Sequence, residues 1–201
     1  LPEYRDFVHS GAYSAQPVAN ALTPVWHELQ GQTWGVVGGG NIGSQVARIA
    51  EAFGCRVIVC RRKPDDRYET ADIDTLCECA DIISLHVPLS DETRGMISAE
   101  RIAKMKPTAI VVNVARGAVT NEAALAEAIE QGKLGGLGID VFSAEPLPAE
   151  HPYHRIMKYD NVCFTPHTAW GSYEARCRCV RVMAENAQAF FAGEIKNRVE
   201  I

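Results

Sequence analysis

Gly35-Val36-Val37-Gly38-Gly39-Gly40-Asn41-Ile42-Gly43 is the stretch that decides the fold. Gly38, Gly40 and Gly43 have the spacing G-x-G-x-x-G. The spacing is a weak signal alone; its setting gives it meaning. It closes an apolar run, Thr33–Val37, and opens a helical one, Ile42–Phe53. In such a strand–turn–helix unit Gly38 permits the tight turn, Gly40 leaves space for a pyrophosphate, and Gly43 lets the helix pack against the strand. The helix start adds backbone N–H groups and a partial positive charge, which suit phosphate. The alternative is a glycine turn that merely packs well.

Outward from this turn, short apolar runs alternate with amphipathic segments. The runs are Thr33–Val37, Cys55–Cys60, Asp81–Val87, Thr108–Val114, Gly136–Val141 and Asn161–Thr165. Helical periodicity marks Ile42–Phe53, Ile73–Cys79, Ala99–Met105 and Asn121–Gln131. Six near-continuous apolar runs separated by helices predict an α/β fold with a doubly wound parallel sheet, Rossmann-like, in three α/β/α layers. Residues 33–171 form that unit. Residues 1–32 read as a helix over Pro2–Ser10, stopped at Gly11, and an irregular arm over Ala12–Gln32. Residues 172–201 begin with one long helix, Ser172–Ala192, in which Val180, Met183, Ala187, Phe190 and Phe191 recur at helical spacing and Gly193 ends the run.

The end of the second run bears on the nucleotide. A domain selective for NAD places Asp or Glu there, about 20 residues past the glycines, against the ribose hydroxyls. Here Arg56–Cys60 runs into Arg61-Arg62-Lys63, and the first acid, Asp65, follows Pro64. A guanidinium welcomes a 2′-phosphate that a carboxylate would repel. The reading is a preference for NADP(H), carried by Arg61 with Arg62 or Lys63 assisting, with NAD(H) possible. The competing reading is a solvated basic turn.

Bulk properties narrow the function. The chain has 201 residues, 47% of them hydrophobic and 22% charged, and a net charge of −5. That balance speaks against nucleic acid as a partner, which needs a basic face. No apolar run is long enough to cross a bilayer, and Leu1-Pro2-Glu3-Tyr4-Arg5 is no signal peptide. Seven cysteines include the pairs Cys77/Cys79 and Cys177/Cys179, which fall in helical stretches where i and i+2 face apart. They read as buried or half-buried reduced thiols of a cytoplasmic protein rather than a metal site.

Four further segments join the glycine turn. They are Leu85-His86-Val87-Pro88-Leu89 with Glu92-Thr93-Arg94-Gly95; Val112-Asn113-Val114-Ala115-Arg116-Gly117; Gly138-Ile139-Asp140-Val141-Phe142 through Glu145-Pro146; and Thr165-Pro166-His167. With these in order, the chain resembles the D-isomer-specific 2-hydroxyacid dehydrogenases over nearly its whole length. The resemblance implies hydride transfer between NAD(P)H and a small 2-keto or 2-hydroxy acid. Arg116 would bind the substrate carboxylate and carbonyl oxygen, a task for a permanent forked charge. His167 would be the general acid on the carbonyl oxygen, and the base in reverse. Glu145 would take the other imidazole nitrogen and fix the ring. Asn41 and Ile42 would sit over the pyrophosphate. Val87, Pro88 and Thr93 would line the ribose and adenine side, the Val114 and Ala115 backbone would reach the nicotinamide half, and Asp140 would face the carboxamide. Taken singly, each of these side chains also has an ordinary loop or surface reading. His86 reads as structural; His9, His27, His151 and His154 carry no assignment.

The resemblance also implies two domains about a cleft. The chain would hold the nucleotide domain and the helix returning toward a substrate domain, with the N-terminal part absent. Pro166-His167-Thr168-Ala169-Trp170 with Glu174-Ala175-Arg176 looks most like glycerate dehydrogenase or hydroxypyruvate reductase. A homodimer is expected through Pro2–Gln32 and Arg94–Pro107, with Tyr4, Phe7, Tyr13 and Trp26 at the interface. Two other readings stay open: a dinucleotide-sensing protein like the co-repressors of this fold, and a structural module with a dead site.

Overall fold

A computed structural model describes residues 2–63 and 66–199. Pro64 and Asp65, on which part of the nucleotide argument turned, lie outside the described residues. Among the described residues the chain runs through α1 (Pro2–His9), α2 (Ala12–Ala15), β1 (Thr33–Val37), α3 (Asn41–Ala52), β2 (Arg56–Cys60), β3 (Glu69–Thr70), α4 (Ile73–Cys79) and β4 (Ile82–Leu85). It continues through α5 (Ala99–Lys104), β5 (Ile110–Asn113), a 3-10 turn (Gly117–Val119), α6 (Glu122–Glu130), β6 (Gly136–Ile139), a second 3-10 turn (Pro152–Arg155), β7 (Val162–Phe164) and α7 (Tyr173–Phe191).

The seven strands form one parallel sheet in the order β3-β2-β1-β4-β5-β6-β7. The chain winds outward from β1 to β3, then returns to lay β4 on the other side of β1, with Gly35 beside both Ile58 and Ile83. The order therefore reverses at the β1/β4 boundary, where α/β sheets of this kind open a crevice beyond the strand C-termini. Helices cover both faces, so the strands are buried on both: all four residues of β4 are buried. Val37 joins Ile83, Leu85, Leu125 and Leu137 in the larger core, whereas Val36 faces the other way onto Ala47 and Ala50 of α3. Each such fully buried aliphatic side chain contributes about 1.5–3 kcal/mol.

Some elements depart from the sequence reading. The two-residue edge strand β3 is exposed, and its Glu-Thr pair carries no apolar signal. The arm expected to be irregular contains α2, where the Phe7 and Tyr13 rings meet edge-on at 6.3 Å. Tyr4 and Tyr13 donate to the Pro24 and Ala19 carbonyls at 2.6 and 2.9 Å, so these aromatics partly make their own packing; Trp26 stays exposed. The cysteines are not all sheltered as expected. Cys55 and Cys77 are buried and Cys60 and Cys79 half-buried, but Cys163, Cys177 and Cys179 are exposed. The reason is that β7 is an edge strand and α7 buries only Ala189. Val180, Met183, Phe190 and Phe191 of α7 are exposed. No described helix is long and apolar enough to cross a membrane.

Candidate active site

Every sequence-predicted site residue lies at or just beyond the strand C-termini: Gly38 after β1, Arg61 after β2, Val87 after β4, Arg116 after β5, Asp140 after β6 and His167 after β7. Gly38, Gly40, Arg61, Arg62, Val87, Pro88 and Thr93 line one cleft of about 1190 Å³ at the β1/β4 switch. Gly38 has φ 100, where a side chain is strained. A Cβ on Gly43 would stand 1.8 Å from the Gly38 carbonyl oxygen, so Gly43 lies behind the turn rather than in the cleft.

The helix starts show what this cleft is suited to hold. Asp72, Ser98, Asn121 and Ser172 cap α4, α5, α6 and α7 with side-chain oxygens. The N-cap of α3 is Gly40, which offers no side-chain oxygen, and a Cβ there would meet open space. The first N–H groups of α3, at Asn41 and Ile42, are left to an anion. The Arg61 guanidinium lies close over Gly39, within 3.0–3.1 Å of where a Cβ would project. Arg62 and Lys63 complete a basic wall, faced by Asp91 and Glu92, with Glu92 4.0 Å from Arg62. Thr93 lines the cleft but spends its hydroxyl on its own loop, donating to the Pro88 carbonyl at 2.6 Å and accepting from Ser90 N–H at 2.8 Å. His86 also lines it; burial pushes its imidazole pKa down, and neither ring nitrogen has a partner among the described residues. It serves the cleft as a neutral wall.

Two of the three charged groups meet beyond the next strand ends, and the third, Arg116, stands after β5. His167 Nδ1 is 2.8 Å from Glu145 Oε2. Glu145 Oε1 accepts the Phe142 N–H at 2.9 Å. The His167 contact first, then the Phe142 N–H, hold Glu145 below the usual carboxylate range. An ionised carboxylate only accepts, so Nδ1 carries a proton and Nε2 remains for proton exchange. The backbone of His167 has φ 54, uncommon for a residue with a side chain. Its N–H is shared between the Asp140 and Thr165 carbonyls at 2.8 and 3.1 Å. The Asp140 carboxylate finishes the clamp, accepting from Thr165 Oγ1 at 2.5 Å, Thr168 N–H at 2.8 Å and Ala169 N–H at 2.9 Å. Both its oxygens are thus committed to the loop that carries His167. Arg116 is exposed, its turn braced by buried Asn113, which donates to the Arg116 carbonyl and accepts from Ala115 N–H, each at 3.0 Å. Val114 is exposed beside it, whereas the Ala115 carbonyl accepts from Arg116 Nη1 at 2.7 Å.

Sequence reasoning gave no role to Asn113, Glu122 or His151. Asn113 stood inside a quoted motif, and only its bonds show its task. Glu122 lies inside the helical segment Asn121–Gln131 with no signal of its own, and His151 carried no assignment.

A parallel α/β sheet with an uncapped helix start at its C-terminal edge, beside a histidine paired with a carboxylate, is the architecture of a dinucleotide-binding domain. Residues 1–169 match the family model "D-isomer specific 2-hydroxyacid dehydrogenase, NAD binding domain". A glyoxylate reductase of Korarchaeum cryptofilum is 42% identical over 175 residues, covering 84% of the chain and 52% of that protein. A hydroxypyruvate reductase of Thermotoga maritima is 44% identical over 154 residues, covering 75% and 50%. D-lactate dehydrogenase from Aquifex aeolicus, solved with NAD and lactic acid, superposes with TM-score 0.82 at 30% identity, covering 93% of the chain and 61% of its own. An acyclic imino acid reductase, solved with NADPH and D-Arg, superposes with TM-score 0.82 at 29% identity, covering 98% and 63%. The chain belongs to the D-isomer-specific 2-hydroxyacid dehydrogenase family and carries its NAD-binding domain. It spans about half the length of the curated relatives it matches. The co-repressor-like reading gains no support from these proteins.

Proposed function

We propose that this chain is the nucleotide-binding domain of a reductase that converts a small 2-keto acid, glyoxylate or hydroxypyruvate, to the 2-hydroxy acid, with NADP(H) preferred. The observation that carries the reading is the 2.8 Å His167–Glu145 contact, set on the same sheet edge as Arg116 and the nucleotide cleft. Bound nucleotide would supply hydride to the carbonyl carbon. Arg116 holds the substrate carboxylate, and His167 donates the Nε2 proton to the carbonyl oxygen. Glu145 keeps the imidazole oriented and balances its charge. The uncapped start of α3 takes the pyrophosphate, and Arg61 with Arg62 takes the 2′-phosphate of NADP(H).

The same reading divides the chain into an arm (1–32), the nucleotide domain (33–171) and a C-terminal segment (172–201) in which the exposed apolar side of α7 faces a substrate domain. It includes a homodimer in the cytoplasm, the dimer using the arm around Trp26; a monomer in sedimentation at micromolar concentration would refute that part. The first experiment titrates the chain with NADPH and NADH by nucleotide fluorescence. NADPH should bind more tightly, and Arg61→Asp should change the affinity ratio about ten-fold or more, or about 1.4 kcal/mol. An unchanged ratio would remove Arg61 from the role. In the full-length protein, His167→Ala should abolish reduction of glyoxylate and hydroxypyruvate while cofactor affinity stays close to that of the parent.

A further inference from the structure

Glu122, the first residue of α6, is buried, 9% exposed. Its Oε1 accepts the Ser143 N–H at 2.9 Å. Its Oε2 accepts the Ser143 hydroxyl and faces His151 Nε2 at 3.0 Å. The Tyr153 N–H donates to His151 Nδ1 at 3.3 Å, so Nδ1 bears no proton there and Nε2–H donates to Glu122. A buried carboxylate costs several kcal/mol unless paired and hydrogen-bonded, and an apolar replacement is often as stable. What this group holds is therefore informative.

It holds one peptide, Phe142–Ser143. The N–H of this peptide, that of Ser143, goes to Glu122, and the N–H of the preceding peptide, that of Phe142, goes to Glu145, whose other oxygen takes His167. From the opposite quarter Gly117, the neighbour of Arg116, abuts the same peptide: a Cβ on Gly117 would fall 2.0 Å from the Phe142 carbonyl carbon and 2.2 Å from the Ser143 nitrogen. The Phe142 ring is walled edge-on by His151, Tyr153 and Phe164, with centroids 6.1–6.2 Å apart. Phe142 and its two flanking peptides thus join Glu122, Glu145 and the turn that carries Arg116, and Glu122 is the side chain that anchors the Phe142–Ser143 peptide to α6.

We propose that Glu122, held by His151 and Ser143, is a positioning residue for the active site: it fixes the Phe142–Ser143 peptide and so sets Glu145, and through Glu145 the ring of His167, relative to Arg116. The proposal rests on the reading of His167 as the proton donor. In Glu122→Gln the amide oxygen can keep the Ser143 N–H, but the NH2 then faces His151 Nε2–H, so donor meets donor and the anchor slackens.

Two readouts test it. In this chain, NMR at low temperature should detect the His167 Nδ1–H as a downfield imidazole proton, lost in Glu145→Gln. It should weaken or vanish in Glu122→Gln and in His151→Gln while NADPH binding is retained. In the full-length protein the same two variants should lower kcat about 10–100-fold, the scale of a misplaced catalytic group, with the KM for cofactor unchanged. An unaltered proton signal in both variants, folded by circular dichroism, overturns the proposal, as does a kcat loss with the signal intact. Should Glu122→Gln fail to fold, Ser143→Ala, which removes only the hydroxyl, and His151→Gln carry the same readouts. If His167→Ala itself leaves turnover intact, the reading of the active site has failed, and the proton signal alone decides whether Glu122 positions the pair.

Discussion

Replacing Asp140 by Asn should loosen the loop that carries His167 by a measurable amount. Asp140 is 4% exposed, and its two oxygens accept three hydrogen bonds from Thr165, Thr168 and Ala169. Asn keeps one oxygen. If that oxygen stays with Thr165 and Thr168, the new NH2 confronts the Ala169 N–H. The variant then loses one charge-assisted bond, about 1.5–3 kcal/mol, and leaves a donor unsatisfied. Thr165, Thr168 and Ala169 are themselves exposed, so water recovers part of that loss, leaving about 1.5–3 kcal/mol in all. At about 2–4 °C per kcal/mol for a chain of this size, Tm should fall by about 3–12 °C. The effect carries a pH signature. Burial pushes the Asp140 carboxyl up, but the Thr165 hydroxyl, the two backbone N–H groups and His167 pull it further, and the net direction is down. A depressed folded-state pKa gives stability that is full above the unfolded value near 3.9 and is lost as pH falls through the folded one. The gap in Tm between parent and variant should therefore be constant near neutrality and close in acid. Differential scanning fluorimetry from pH 7 downward reads both. A Tm within 1 °C of the parent at pH 7, or a gap that widens in acid, would refute the assignment of Asp140 as the clamp of the His167 loop.

Other outcomes follow from the same geometry. Gly43→Ala places a methyl 1.8 Å from the Gly38 carbonyl oxygen, so α3 must move off the turn; expect lower Tm and loss of nucleotide binding, with unaltered titration curves counting against the packing argument. Thiol reactivity follows thiolate content and access. Burial pushes the Cys77 thiol up to about 12 and raises Cys55 and Cys60 as well, whereas Cys163, Cys177 and Cys179 are exposed. At pH 8 Ellman's reagent should find those three quickly and the buried thiols only on denaturation; prompt labelling of Cys77 in the native chain, read by mass spectrometry, would contradict the core.

The sequence by itself determined the layering and the edge on which chemistry sits. Ile82–Leu85 and Ile110–Asn113 were legible because strands buried on both faces read as continuous apolar runs, a pattern local to each segment. Gly38, Gly40 and Gly43 were legible because a turn that brings backbone close to phosphate admits few other residues. Arg116, Glu145 and His167 were legible through the motifs around them, each beside the end of an apolar run. Short elements without such a signature, β3 with its Glu-Thr pair and α2 in the arm, were not. Tertiary structure alone decided which groups meet. His167 finds Glu145 across 22 residues, Glu122 finds His151 across 29, and Asp140 turns its carboxylate onto residues 25–29 positions away. It also decided that Thr93 serves its own loop and that the apolar side of α7 stays uncovered by the described residues. The physical reason is range: periodicity and turn chemistry act within a few residues, whereas the partners of a buried carboxylate are fixed by the strand order that brings distant loops to one edge of the sheet.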